Sequence, residues 1–340
     1  MKKTKTDWLT SANNAVYLPG QKKGHYESYF LRANHPSKPL AFWIRYTIFS
    51  PQGNPEKAVG ELWAVYFDGE NNINTAVKKE VPFAQCCFSR SGLDVKVEEA
   101  ILNTVKLIGA ASAGGHQISW NLEYGGESRP LFLLPLSMYS ASFPKAKSCV
   151  PLPLARFSGS LKVDGRDIKI EGWTGSQNHN WGSKHTDLYA WGQVAGFDNS
   201  PDTFLELATA RVKIGPMWTP AMTPMVLRHK GEEFALNDLS QTIFAHGRFI
   251  YFDWVFGSED DRVGMAGRIW AEKEKFVGLN YYNPPGGNKH CLNTKLASCS
   301  LRLTYRQGTR KGSSEILTTA HRAAFEILTD RNDHGIAIQV

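Results

Sequence analysis

Hydrophobic and polar residues alternate with a period of two along much of this chain. The alternation is most regular in His116–Tyr124, where Ile118 and every second residue after it are apolar and the residues between them are polar. This period places the two sets of side chains on opposite faces of a β-strand. Leu40–Phe49 alternates in part, with Arg45 and Thr47 on its polar face and apolar residues on the other, and Glu61–Phe67 is apolar on both faces. These segments predict strands, some of them buried on both sides.

Short strands bounded by turn residues are predicted through the rest of the chain. Asp164-Gly165 separates two short runs, which is typical of a tight hairpin. Later strands are predicted at Leu188–Phe197, Thr203–Val212, Arg248–Phe256, Val263–Trp270, Phe276–Tyr282 and Lys295–Tyr305. Long helices are scarce, and Leu93–Asn103 is the best helical candidate. Many short strands in succession predict an all-β protein built from barrels or sandwiches.

Chain length indicates two domains. The 340 residues exceed the size at which one hydrophobic core stops growing, about 250–300 residues. Ser142–Pro153 contains three prolines, which remove ladder donors and restrict the residues before them, so we interpret this segment as a linker. The predicted domains are residues 1–150 and 151–340.

Composition and charge exclude several function classes. Hydrophobic residues make up 42% and charged residues 21%, which argues against global disorder. The 10 Trp, 12 Tyr and 18 Phe suit β-sheets and apolar cavities. The net charge of +7 is spread along the chain rather than collected in a stripe or tail, so a nucleic acid is not expected as a partner.

The five cysteines favour a reducing compartment, because their odd number and irregular spacing are unlike a disulfide framework. The N-terminus lacks the apolar segment of a signal peptide, and no run of about 18 apolar residues occurs. We therefore expect a cytoplasmic location, with a peripheral contact at a membrane surface left open. Walker, HExxH, GxSxG and GxGxxG motifs are absent, so no cofactor is expected.

The most unusual stretch is Gly172–Phe197, which concentrates glycines, three Trp, two His and several amides. Asn178 and Asn180 supply neutral hydrogen-bonding groups, His179 can exchange a proton near neutral pH, and Trp181 offers an apolar wall. Amides beside Trp are what an oriented apolar ligand requires. An irregular loop, whose His and Asn satisfy buried backbone groups, fits the same residues.

Other residues of this stretch are weighed as ligands of a small molecule or a metal. Further candidate ligand-binding residues are Trp173, Tyr189, Trp191 and Gln193. His179, His185 and Asp187 would share one face of a continuous strand. Gly182 interrupts that strand, and two His without a close third ligand are weak support, so no metal site is predicted.

Glu206 is a candidate proton donor because it lies in an otherwise apolar predicted strand. If its side chain points inward, loss of solvent raises the carboxyl pKa toward neutrality. If it points outward, it pairs with Arg211 or Lys213 and has no catalytic role. The alternation around Glu206 fits both directions equally.

These motifs carry a resemblance to a known family. Gly172–Gly182 (GWTGSQNHNWG), followed by Tyr189–Gly192 (YAWG), resembles the hallmark of the AttH-like proteins related to bacterial carotenoid hydratases (hydroxyneurosporene synthases). The resemblance implies two lipocalin-like (calycin) antiparallel barrels in tandem, with the Asn-His-Asn-Trp-Gly motif in the second barrel and a ligand cavity in or between them. It extends distantly to tocopherol cyclases and fungal Diels–Alder cyclases.

The resemblance also implies residue roles. His179 and Trp181 match motif residues implicated in hydration, and Glu206 would stand for the acid of a Tyr-x-Asp pattern that this chain lacks. A cofactor-independent lyase or isomerase of the hydratase or cyclase type is implied, in which His179 and Glu206 handle a proton. Its partner would be a hydrophobic polyene, terpenoid or polyketide. A non-catalytic carrier of a hydrophobic metabolite and a structural role are the alternatives, and the oligomeric state stays open.

Overall fold

The computed structural model describes residues 4–340, most of which lie in antiparallel strands. The first twelve strands are β1 His25–Asn34, β2 Leu40–Ser50, β3 Val59–Asp68, β4 Ile73–Pro82, β5 Cys86–Phe88, β6 Asp94–Val97, β7 Ala100–Asn103, β8 Lys106–Ala113, β9 His116–Gly125, β10 Leu131–Phe132, β11 Ala146–Val163 and β12 Arg166–Gly182. The next are β13 Leu188–Phe197, β14 Ser200–Arg211, β15 Lys213–Ile214, β16 Met217–Trp218, β17 Met225–His229 and β18 Glu232–Leu236. The last are β19 His246–Ile250, β20 Asp253–Glu259, β21 Val263–Trp270, β22 Val277–Tyr282, β23 Asn288–Tyr305 and β24 Ser314–Thr329.

Helices are short and lie between strands. They are α1 Lys5–Ser11, α2 Leu136–Ser140 and α3 Leu239–Phe244, with 3₁₀ turns at Pro55–Lys57, Phe83–Gln85 and Lys273–Lys275. Within residues 4–340, none of these is long and apolar enough to cross a membrane.

The first sheet runs in the order β4-β3-β2-β1-β12-β11-β9-β8-β7-β6-β5, with β10 against β11. Strand β4 packs against β8 and β9, so the sheet curls on itself around one core. The alternation predicted for β9 is confirmed, because Ile118, Trp120 and Leu122 point into this core while the residues between them are more exposed. The Asp164-Gly165 hairpin joins β11 to β12 as predicted, with both residues at positive φ.

The second sheet runs in the order β18-β17-β14-β13-β24-β23-β21-β20-β19, with β22 against β23, while β15 and β16 form a separate hairpin. It curls around its own core, in which Trp254 packs on Phe325. The all-β prediction is therefore confirmed: the chain forms two curled antiparallel sheets in succession.

The outer faces of the two curled sheets pack against each other. Trp43 of β2 and Trp63 of β3 meet Trp191 of β13 and Leu279 of β22 in a third apolar cluster. Strands β2 and β3 thus bury one face in the first core and the other in this interface. That position explains why Glu61–Phe67 is apolar at consecutive positions rather than alternate ones.

The predicted division at residue 150 does not separate the two sheets. Residue 150 lies within β11, and both β11 and β12 pair in the first sheet, so the Asn-His-Asn-Trp-Gly motif belongs there and not to the second. The chain passes between sheets after Gly182. Pro151 and Pro153 did not mark a linker, because they sit at irregularities in the β11–β12 register, where a strand tolerates a missing donor.

Two element predictions are wrong. Leu93–Asn103 is the hairpin of β6 and β7, with Glu98 at φ 49 in its turn, and its Val-rich sequence favours strand over helix. Arg248–Phe256 is not one strand but the hairpin of β19 and β20, which turns at Phe252 with φ 70. The turn was missed because Phe249–Phe256 is a run of mainly aromatic residues that contains no glycine, proline or asparagine.

Candidate functional site

A cavity of about 180 Å³ lies between the outer faces of the two sheets. A single water needs about 10–15 Å³ of such space, so the cavity has room for a small organic molecule. Its walls are mainly apolar and aromatic, from Phe30, Trp43, Tyr189, Trp191 and Tyr281. Residues of α3 and of the segment around α2 also border it. An apolar cavity with a few polar groups is the usual form of a small-molecule site.

Strand β12 divides the predicted motif between its two faces. Asn178 and Asn180 point into the cavity. His179 and Trp181 point to the other side of the sheet, as the period of two requires, and neither borders the cavity. His179 is nevertheless buried, with 1% of its surface exposed. The structure therefore does not bring His179 and Glu206 together around one ligand.

The imidazole of His179 is held by a carboxylate and a backbone carbonyl. Its Nε2 lies 2.8 Å from Glu27 Oε1, its Nδ1 lies 2.7 Å from the Ala12 carbonyl oxygen, and its ring stacks on Tyr29 at 4.3 Å. A backbone carbonyl oxygen can only accept, so Nδ1 donates to Ala12 and Nε2 lies against the Glu27 carboxylate. His179 thereby fastens the segment after α1 to the inner side of β1 and β12, next to Tyr29.

Glu27 is the centre of this buried cluster. Besides His179, it accepts hydrogen bonds from the backbone N–H groups of Val16 and Tyr17, each at 2.7 Å, and lies 3.0 Å from His25 Nε2. Burial acts to raise the pKa of Glu27, but the hydrogen bonds from His179 and His25 outweigh it and lower the pKa to about 2. The carboxylate is ionised and fully satisfied, which is the environment of a structural ion pair.

Glu206 of β14 borders the cavity and is 2% exposed. Its Oε1 accepts from Trp191 Nε1 at 2.8 Å and its Oε2 from Gln193 Nε2 at 2.7 Å. Burial raises the pKa of Glu206 to about 7, while the hydrogen bonds from Trp191 and Gln193 and the charge of Arg32 limit the rise. The sequence left open whether the Glu206 side chain points inward or outward, and in the structure it points inward. A carboxyl with this pKa can exchange a proton near neutral pH.

Gln193 links Glu206 to the first sheet. Its Nε2 also donates to Asn178 Oδ1 at 2.8 Å, and its Oε1 accepts from Ser176 at 2.6 Å and from Arg32 Nε at 2.8 Å. Gln193 does not border the cavity; it positions Asn178 and Glu206, which do. The network crosses from β1 and β12 to β13 and β14, so docking of the two sheets fixes the carboxyl.

A second carboxylate, Glu326 of β24, also borders the cavity. Its Oε1 lies 2.7 Å from Lys295 Nζ and 3.0 Å from Asn293 Nδ2. Lys295 is fully buried and lies over the Trp191 ring at 5.4 Å. Glu326 is thus committed to an ion pair at the interface, whereas Glu206 has no ion pair with any of the described residues 4–340.

The remaining predicted residues divide between the cavity and the cores. Tyr189 and Trp191 border the cavity. Trp173 belongs to the first core, stacked on Phe42 at 6.0 Å, and Trp181 packs against Tyr139 at 6.0 Å. These two indoles lie on the inner side of β12, away from the cavity. The sequence analysis assigned β12 to the second barrel, so it could not tell which side of this strand faces the cavity.

The predicted metal candidates do not meet. His185 borders the cavity with its ring stacked on Tyr26 at 3.9 Å, whereas His179 lies on the other side of the sheet. Asp187 is bonded to Lys184 and to the Lys213 backbone N–H. Across residues 4–340, no three His, Cys, Asp or Glu side chains are grouped as metal ligands.

Sequence reasoning missed Arg45 of β2, a buried cavity residue. It was assigned to the polar face of a half-buried strand. A charged residue flanked by Trp43, Ile44 and Tyr46 was the available signal, because such a strand rarely exposes either face to water.

Comparisons with known proteins support the fold. No family model matches the chain. An uncharacterized protein of Mycobacterium tuberculosis, in strains CDC 1551 and H37Rv, is 24% identical over 187 residues. That match covers 55% of this chain and 56% of the relative, so the chain spans about half the length of the curated relatives it matches.

Two crystal structures share the architecture over nearly the whole chain. A protein described as an AttH from Nitrosomonas europaea superposes with a TM-score of 0.59 at 12% identity, covering 93% of this chain and 98% of that one. Kievitone hydratase from Nectria haematococca superposes with a TM-score of 0.56 at 12% identity, covering 94% and 95%. The predicted fold of two tandem lipocalin-like barrels is confirmed. One structural neighbour is a hydratase, and at this identity the likeness shows the fold alone.

Proposed function

We propose that this protein is a hydratase-type or cyclase-type lyase or isomerase that acts on a hydrophobic polyene, terpenoid or polyketide in the cavity between the barrels. Glu206 supports this proposal most directly, because it is a buried carboxyl that borders an aromatic cavity and has a pKa of about 7. Such a group can give a proton to an apolar substrate at neutral pH and take one back.

The chemistry begins with Glu206 in its neutral form. Its carboxyl proton passes to one carbon of a double bond, leaving a cation on the other carbon and a carboxylate on Glu206. Attack by a water oxygen forms the new C–O bond, and the water's second proton returns to the carboxylate, which completes hydration. Attack by a second double bond, followed by proton loss to Glu206, gives cyclisation instead. Both routes regenerate the carboxyl and consume no oxidant.

The cavity walls suit a cationic intermediate. Trp43, Trp191 and Phe30 place polarisable aromatic rings along the cavity, and the carboxylate that Glu206 becomes after proton transfer offsets the charge of the cation. Exclusion of bulk solvent strengthens each polar contact in such a site. Asn178 and Asn180 supply fixed amides that can orient a polar end of the substrate or the attacking water.

The test is a labelled-water incubation of the purified protein with lipophilic metabolites extracted from its source organism. With water carrying oxygen-18, the wild type should yield a product that has gained one labelled water or, for cyclisation, an isomer of unchanged mass. Glu206→Gln keeps the shape of the side chain and removes its proton, so it should bind the same lipophile without forming product. Glu123→Gln, on the exposed face of β9, is the matched control and should match the wild type.

Two results would count against catalysis. If the wild type retains a lipophile through purification but converts none, the carrier function is favoured. If Glu206→Gln forms product at the wild-type rate, Glu206 is not the proton donor and the proposal fails.

A further inference from the structure

Arg45 is a buried cation whose contacts within residues 4–340 are to aromatic rings rather than to hydrogen-bond acceptors. Its side chain projects from β2 into the cavity and is 4% exposed. The guanidinium lies over the rings of Tyr281 at 4.4 Å and Trp43 at 5.9 Å. Among residues 4–340 it forms no hydrogen bond or ion pair, and its Nε is buried and unsatisfied. Arginine is almost never buried in this state, because an unpaired internal charge costs several kcal/mol.

The carboxylates nearest to Arg45 are already committed. Glu61 accepts from Lys78 Nζ at 2.9 Å and from Trp63 Nε1 at 3.1 Å. Glu326 is paired with Lys295. Burial opposes the charge of Arg45, yet Tyr281 and then these carboxylates shift its pKa upward overall, so the guanidinium stays protonated. Its N–H groups carry positive charge and donate to no atom of the described residues.

The same face of β2 carries further unsatisfied groups. Trp43 Nε1 and Thr47 Oγ1 are buried and find no hydrogen-bond partner in the described part of the chain, and the same holds for Arg45 Nε between them. Alternate residues of a strand point the same way, so these groups form a row along the interface side of β2. Buried polar groups are nearly always satisfied, so these three atoms show that the described residues leave this side of β2 short of hydrogen bonds. The three atoms themselves are closed off from the cavity, and the terminal guanidinium nitrogens of Arg45 are the donors that a cavity ligand can reach.

The other titratable groups of the cavity do not neutralise Arg45. His185 is uncharged, because burial and the neighbouring charge of Arg45 lower its pKa to about 3. Lys147 adds a second cation, although its Nζ is satisfied by the carbonyl oxygens of Ala141 and Pro144 at 2.9 and 2.7 Å. Glu206 is half-protonated near pH 7 and bonded to Trp191 and Gln193. The cavity is therefore apolar with an excess of positive charge.

We propose that the cavity ligand is an acidic lipophile, whose carboxylate or enolate oxygen binds the Arg45 guanidinium while its hydrocarbon part lies against the aromatic walls. This rests on the proposed function only in assuming that the cavity holds a hydrophobic ligand. It narrows the substrate class from any polyene or polyketide to those bearing an ionised oxygen. Planar oxyanions are what a guanidinium fork binds best.

The experiment compares a fluorescent polyene acid with its own methyl ester. Parinaric acid and methyl parinarate have the same hydrocarbon chain, and only the acid carries a charged oxygen. Each probe is titrated into the full-length protein at a pH above the pKa of the acid, and binding is followed by the fluorescence of the probe. The wild type should bind the acid about tenfold more tightly or better, because a charge-assisted hydrogen bond contributes at least that much. Arg45→Met should bring the two affinities together by weakening the acid alone.

Two further variants sharpen the assignment. Arg45→Lys keeps a cation and should retain part of the preference. Lys162→Met removes a cation from the exposed end of β11, outside the cavity, and should leave the preference unchanged. Arg45→Met relieves an unpaired charge, so it should unfold at the wild-type temperature or above, and retained ester binding shows that its cavity is intact.

The outcomes separate this inference from the proposed function. The role of Arg45 is overturned if the wild type binds acid and ester equally, or if Arg45→Met still prefers the acid. Either result leaves the proposal of a hydrophobic ligand site unaffected. Failure of the wild type to bind either probe overturns both.

Discussion

His179 provides the sharpest prediction, because the family resemblance and the structure give it different roles. The resemblance implies that it handles a proton, whereas the structure turns its ring away from the cavity and pairs it with Glu27. We expect His179→Ala to lower the stability of the protein while leaving ligand affinity in the cavity nearly unchanged. The residue would then be a positioning and stabilising residue.

The magnitude follows from the buried ion pair. Removing one partner of such a pair costs about 3–5 kcal/mol. Glu27 retains His25 and two backbone N–H groups, so the lower end applies. Independently, the drop in the Glu27 pKa from 4.5 to about 2 corresponds to about 3 kcal/mol, of which His179 supplies a major part. We expect a loss of about 2–3 kcal/mol in the free energy of unfolding.

The assay is urea unfolding at neutral pH of the wild type, His179→Ala, Glu27→Gln and the double variant. The single effects should sum to more than the double-variant effect, because the two side chains interact. His116→Ala is the matched control: it removes a His–Asp164 pair of 2.7 Å on the exposed surface, which should cost less than about 1 kcal/mol. Unchanged stability of His179→Ala together with lost turnover at intact ligand affinity would refute the positioning role.

Other predictions follow from the same groups. Activity should fall as pH rises through about 7, where Glu206 loses its proton, and a pH profile without that limb would argue against Glu206 as the acid. Because folding raises the Glu206 pKa from 4.5 to about 7, ionising it costs stability as pH rises, so Glu206→Gln should unfold at higher urea concentration than the wild type at about pH 8. Glu27 has the opposite sign, because its pKa is lowered: its contribution to stability is complete above pH 4.5 and is lost as pH falls toward 2. Between pH 4.5 and 2 the wild type should therefore lose more unfolding free energy than Glu27→Gln, each measured relative to its own value at neutral pH. Gly175→Ala should destabilise by at least about 2 kcal/mol in thermal unfolding, because a Cβ there would overlap the Arg32 carbonyl oxygen.

The period of two and the turn residues were enough to predict most of the strands and the all-β class, although β6 and β7 were taken for a helix. They predicted β9 and the Asp164-Gly165 hairpin because each depends on local side-chain direction and turn chemistry. They could not predict the division between sheets, since Pro151 and Pro153 signal a break but are absorbed by register shifts with β12. Sheet assignment depends on pairing partners far away in the sequence, which no local pattern reports.

The candidate site was predicted in part for the same reason. Asn178 and Glu206 were identified by residue type, and both border the cavity. His179 was grouped with them because it follows Asn178 in the sequence. Consecutive residues of a β-strand point to opposite faces of the sheet, so His179 points away from the cavity that Asn178 borders. Arg45 was passed over because the face of β2 that carries it was expected to meet water, and only the second barrel turns that face into an interior.

The cavity is therefore a property of two barrels together rather than of either one. Its walls come from β1, β2 and β12 on one side and from β13, β14, β22 and β24 on the other. Glu206 keeps its raised pKa because the first sheet excludes solvent from it, while Arg32 and Gln193 hold the two sheets in register. A substitution that loosens this interface should return Glu206 toward the pKa of an exposed carboxyl, even where it touches no cavity residue. The proposed proton transfer would therefore depend on the docking of the barrels, through the polar network around Gln193.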